Sequence, residues 1–62
     1  MKDMKAQAEK LRTQAAECAL IRDLATKPDK REMFDRLAEH LGRLATEVER
    51  AIAALEGDTK QA

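Results

Sequence analysis

The chain contains a single proline, Pro28, set nearly midway between two long stretches that hold little to stop a helix. Proline cannot donate the backbone hydrogen bond of a helix interior, and it disfavours the helical conformation in the residue before it. A helix arriving at Thr26-Lys27-Pro28 must therefore end, and a new one can begin there. Upstream, nothing from Asp3 to about Ala25 breaks a helix; downstream, the only breakers are Gly42 and Gly57. With 39% charged residues, one aromatic (Phe34) and an apolar fraction dominated by Ala and Leu, the composition favours long helices over sheet. The expectation is an all-α, antiparallel two-helix hairpin over residues 1–57, with helices at about 3–25 and 28–56, a turn at about 26–28 and a polar tail at 58–62.

Two caps are open to the second helix. Lys27 can be the N-cap with Pro28 at the first helical position, or Thr26 can cap with Asp29 three residues on. The second arrangement is favoured, and both place Asp29 and Glu32 near the positive end of the helix dipole. So short a connection joins antiparallel neighbours. Gly57 follows the last apolar position, where a C′ residue is expected.

The two segments differ in pattern. In the first, Met4, Ala8, Leu11, Ala15 and Cys18 recur at alternating spacings of four and three, which draws one stripe along a helix. In the second, Phe34, Leu41, Val48 and Leu55 repeat every seven residues as a positions, with Leu37, Leu44 and Ala51 as d positions. A third column, Ala38, Ala45 and Ile52 at e, widens the stripe beyond a two-stranded seam to the face of a multi-helix bundle. The small Ala38 and Ala45 would let a neighbouring helix approach closely.

Between Ala15 and Ala25 the apolar residues point in every direction around the helix. One partner helix covers one face, so Leu20 and Leu24 on the far side call for a second partner or form an unusual exposed patch. The expected assembly is a homo-oligomer, a dimer favoured over a tetramer, forming a four-helix bundle. Its interface is expected at Leu20, Ile21, Leu24, Phe34, Leu37, Leu41, Leu44, Val48, Ile52 and Leu55.

Several chemistries lack their residues. The chain has no Ser and no Tyr, and its four threonines do not accompany His40, so no nucleophilic triad can be drawn. His40 is the only imidazole; Leu37 stands three residues before it and Arg43 three after, so the Glu-x-x-His signature of bundle metal sites is absent. Cys18 lies on the apolar stripe and reads as a small core residue; with a single cysteine no intramolecular disulfide can form. The expectation is a non-enzyme with no catalytic residue, cofactor, metal or small-molecule ligand. No apolar run of about 18 residues and no secretory h-region is visible, so no membrane association and a cytoplasmic location are expected.

The 12 Lys and Arg balance the 12 Asp and Glu, which leaves no net field to hold a polyanion. Arg31, Asp35, Glu39, Arg43 and Glu47 follow one another at i,i+4 and read as a solvated, mutually paired face. Lys2, Lys5, Lys10, Arg12 and Arg22 give the first helix its only basic strip, diluted by Asp3, Glu9, Glu17 and Asp23.

The stretches Ala16-Glu17-Cys18, Pro28-Asp29-Lys30-Arg31 and Leu37-Ala38-Glu39-His40 resemble a group of small uncharacterised proteobacterial helical-hairpin proteins, over about residues 6–55. In that group an A-E-C stretch closes the first helix, an Asp-Pro turn opens the second and an L-A-E stretch follows; here Lys27 replaces the Asp. The resemblance implies the hairpin fold and carries no activity. The expected function is that of a non-catalytic, self-associating interaction or scaffold module. The alternatives are a small nucleic-acid-binding regulator using the basic strip, and an adaptor whose hairpin docks on a larger protein.

Overall fold

The structure, a computed structural model, describes residues 2–61, with side-chain surroundings for 3–57. Helix α1 runs over Lys2–Leu24 and helix α2 over Pro28–Gln61, and the two pack against each other as an antiparallel hairpin. Among the described residues there is no strand.

The turn begins one residue earlier than expected and takes up residues 25–27. The Ala25 N–H donates to the Arg22 carbonyl at 3.2 Å, a three-residue closure that ends α1 one residue early. The Arg31 N–H donates to the Lys27 carbonyl at 3.0 Å. That bond is the first of α2, so Lys27, not Thr26, is the N-cap and Pro28 takes the first helical position. Proline fits there because its missing N–H has no intrahelical acceptor to lose. Asp29 stays in the first turn, beside the positive end of the dipole.

The far end departs from expectation too. Gly57 does not terminate α2: no glycine takes a positive φ among the described residues, and the helix continues to Gln61 through the segment expected as tail. A glycine inside a helix costs about 1 kcal/mol relative to alanine, which weakens a helix without forcing it to stop. Ala62 lies outside the described residues.

Where the helices touch, α1 presents Ala8 and Leu11, both buried, with Met4, Ala15, Cys18 and Ala25 half-buried along the same stripe. Helix α2 meets it with Ala45 at 0% exposure and Ile52 buried, and with Phe34, Ala38, Leu41 and Val48 half-buried. The expected α1 stripe is thus the seam. On α2 the e column and the a residues Phe34, Leu41 and Val48 are used rather than a and d, because the alanines at e let the α1 backbone approach most closely; Leu55, the last a residue, is exposed. Burying Leu11 and Ile52 contributes about 1.5–3 kcal/mol each. No helix here is long and apolar enough to cross a membrane.

The Cα extents are 53 × 15 × 11 Å, so the molecule is one helix thick. Its radius of gyration of 14.9 Å exceeds the roughly 10.6 Å of a compact chain of this length.

Two substitutions separate packing from propensity. A Cβ placed on Gly42 would meet nothing within 4 Å. Gly42→Ala is therefore expected to raise stability by about 0.5–1 kcal/mol. Ala45→Leu, at the closest approach of the helices, is expected to lower it by about 1–3 kcal/mol. Thermal unfolding followed by circular dichroism at one fixed protein concentration checks both.

Candidate interaction surface

Among the described residues three ion pairs cross the hairpin, each with the cation on α1 and the carboxylate on α2. Lys5 Nζ lies 3.2 Å from Glu56, Arg12 Nη2 2.6 Å from Glu49, and Arg22 Nη1 2.8 Å from Asp35. Lys5 and Arg12 are seven residues apart, as are Glu49 and Glu56, so the first two pairs repeat one antiparallel register. Arg12 is the best anchored: its Nε also donates to the second Glu49 oxygen at 3.2 Å and its Nη2 to Thr46 Oγ1 at 3.3 Å. The Thr46 hydroxyl in turn donates to the Gly42 carbonyl at 3.1 Å. None of these pairs could be read from the sequence, because each requires the register between helices.

The local ladder is recovered only in part. Arg43 pairs with Glu39 at 2.6 Å and Arg36 with Glu32 at 2.7 Å, both at i,i+4. Asp35 is drawn across to Arg22, which also bonds Asp23 at 3.0 Å. Of the basic strip, Lys5, Arg12 and Arg22 are thus engaged with carboxylates of the same chain, Lys10 is exposed, and the Lys2 side chain lies outside the described set.

Counting round each helix at about 100° per residue separates two edges of the seam. Lys5, Arg12, Asp35, Glu49 and Glu56 lie to one side, and Arg22 reaches there from the seam itself. To the other side lie Asp3, Gln7, Lys10, Gln14 and Ile21 of α1 and Met33, Leu37, Leu44, Ala51 and Leu55 of α2. On that edge Ile21, Met33, Leu37, Ala51 and Leu55 are exposed and Leu44 is half-buried. The hairpin therefore has a charged edge that its own helices close, and a second edge that is apolar along α2 and, Ile21 apart, polar along α1.

The expected interface residues fall into three groups on this frame. Phe34, Leu41, Val48 and Ile52 turn toward α1 and serve the hairpin itself. Ile21, Leu37, Leu44 and Leu55 share the apolar edge. Leu20 and Leu24, 58% and 72% exposed, lie on the side of α1 opposite the seam, where the all-round apolar pattern placed them. Met33, 51% exposed, was missed; it falls at a g position outside the three columns, and its signal was its place four residues before Leu37.

Beside the apolar edge, Met33, Arg36, Leu37, His40 and Arg43 line a shallow trough open to solvent along α2 alone. Cys18 is half-buried at the seam. Among the described residues no group of three His, Cys, Asp or Glu side chains converges to hold a metal ion. No protein-family model matches the chain, and neither the curated proteins nor the solved structures give a match to it.

The Arg12 clasp has a pH signature. Hydrogen bonding from Arg12 holds the Glu49 carboxyl below its usual range, against a smaller opposing effect of desolvation and with help from the Arg12 charge. A carboxyl whose folded pKa is depressed stabilises the fold fully above its unfolded pKa, and that stabilisation is lost as pH falls through the folded value. Acid titration of thermal stability is expected to show a decline beginning in the ordinary glutamate range and continuing below it, smaller in Glu49→Gln. Because the pair is exposed, the effect is expected to be modest and to shrink in molar salt.

Proposed function

We infer that this protein is a non-catalytic helical hairpin that self-associates into a bundle and serves as an interaction or scaffold module. One observation carries the reading: the folded chain is a single layer with an apolar edge. Stable domains bury their apolar faces between at least two packed layers, and here the chain supplies one. Its accessible surface is 4990 Å² for 7.0 kDa. A compact monomer of that mass exposes about 4,000 Å². The excess of about 1,000 Å² is close to the roughly 800 Å² that each partner gives to an interface of standard size.

The charge arrangement favours this reading over nucleic-acid binding. Lys5, Arg12 and Arg22 spend their charge on Glu56, Glu49 and Asp35. A phosphate backbone would have to displace those carboxylates, and the neutral chain offers no long-range attraction to offset that cost. In this reading the apolar edge of α2 is the interface, and Leu20 and Leu24 stand outside it.

Light scattering on a size-exclusion column, over a range of concentrations and with helicity recorded on the same samples, tests the proposal. The expected result is a helical dimer. Leu37→Glu combined with Leu44→Glu is expected to yield a monomer of reduced helicity, since a charge on each side of the interface would be buried without a partner. Leu20→Glu with Leu24→Glu is expected to leave the dimer mass unchanged. A helical monomer of the unsubstituted chain would overturn self-association and point to an adaptor whose edge is covered by another protein.

A further inference from the structure

The apolar edge of α2 has the same spacing read from either end. Met33, Leu37, Leu44, Ala51 and Leu55 are separated by four, seven, seven and four residues, so the column is symmetric about Leu44. A closed homodimer contact is isologous: if one residue touches a second, the second touches the first on the partner. A foreign helix imposes no such condition on spacing. On this ground, and resting on the self-association inferred above, we propose that the occupant of the edge is a second copy of the chain. The two copies of α2 lie antiparallel across a two-fold axis at Leu44.

The pairing that follows is sterically and electrostatically coherent. Leu44 meets its own copy, Met33 meets the partner's Leu55, and Leu37 meets the partner's Ala51. Large against small is the arrangement that lets layers interdigitate. In the adjoining column His40 and Glu47 stand four residues before and three after Leu44. The same axis brings His40 beside the partner's Glu47, and does so twice per dimer. A parallel pairing would set Glu47 on the partner's Glu47 and align the two helix dipoles unfavourably. The cations next to this column, Arg36 and Arg43, are already held by Glu32 and Glu39 of their own helix at 2.7 and 2.6 Å. The charged edge of the hairpin stays outside, closed by its interhelical ion pairs.

Cysteine cross-linking in a Cys18→Ala background tests the axis, after light scattering has measured that background. His40 and Glu47 are both exposed, so His40→Cys and Glu47→Cys are expected to leave the fold intact. Under the proposed axis a cysteine at either position sits about 9–12 Å along the helix from its own copy, whereas a disulfide needs Cα atoms about 4.4–6.8 Å apart. Under mild oxidation the mixture of the two variants is therefore expected to form a mixed covalent dimer, identified by intact mass. It should form roughly tenfold faster or more than either variant cross-links alone. Leu44→Cys is expected to cross-link to itself. Self-cross-linking of His40→Cys or Glu47→Cys at the rate of the mixture would overturn the antiparallel axis. So would the absence of mixed product in a background that remains dimeric. A monomeric background would overturn the self-association on which the axis rests.

Discussion

Two helices laid side by side can shield from water only the side chains along the line where the cylinders touch. In this chain that line is narrow because it is built from small residues: Ala8 and Ala15 on α1, Ala38 and Ala45 on α2. Ala45, fully buried, marks how closely the backbones approach. Close approach gives dense dispersion contact but encloses little volume, so the larger side chains that flank the alanines stay only half-covered. The half-burial of Phe34, Leu41 and Val48, the exposed column beside them and the single-layer shape all follow from that choice of contact.

The same constraint divides labour between the edges. On one side, long charged side chains reach over the narrow seam and meet their opposites on the neighbouring helix, with no cavity between to keep them apart. On the other, the apolar side chains of Ile21, Met33 and Leu37 reach out and stay exposed. Exposed ion pairs add little to stability, but they fix register and helix order. Aliphatic edges add little to specificity, yet their burial provides most of the free energy of association. The hairpin has put its alignment on one side and its exposed aliphatic column on the other.

Much of this was legible in the sequence. Pro28 located the turn, the alternating fours and threes from Met4 to Cys18 drew the α1 stripe, and the heptads of α2 marked the apolar positions. Less legible was which columns would be used. Leu37 and Leu44 are larger and more apolar than Ala38 and Ala45, so a count of hydrophobicity places the seam at d; steric approach places it at e. The cap went to Lys27 because a backbone carbonyl can accept the first helical bond without help from its side chain. Gly57 looked like a stop because glycine is common there, but it stays helical at a modest cost in propensity. The interhelical ion pairs depend on register, which no property of either helix alone contains.

The one-sided placement of charge has a consequence for connectivity. Among the described residues each interhelical pair puts the cation on α1 and the anion on α2, so along that edge α1 recognises α2 and repels another α1. This recognition does not pass through the turn. A chain severed at Lys27 would yield two fragments whose edges still code for each other, acid strand to basic strand. The turn raises the local concentration of one fragment around the other without telling either what to bind. The hairpin is thus a heterodimer of two dissimilar helices that happens to be written on one polypeptide.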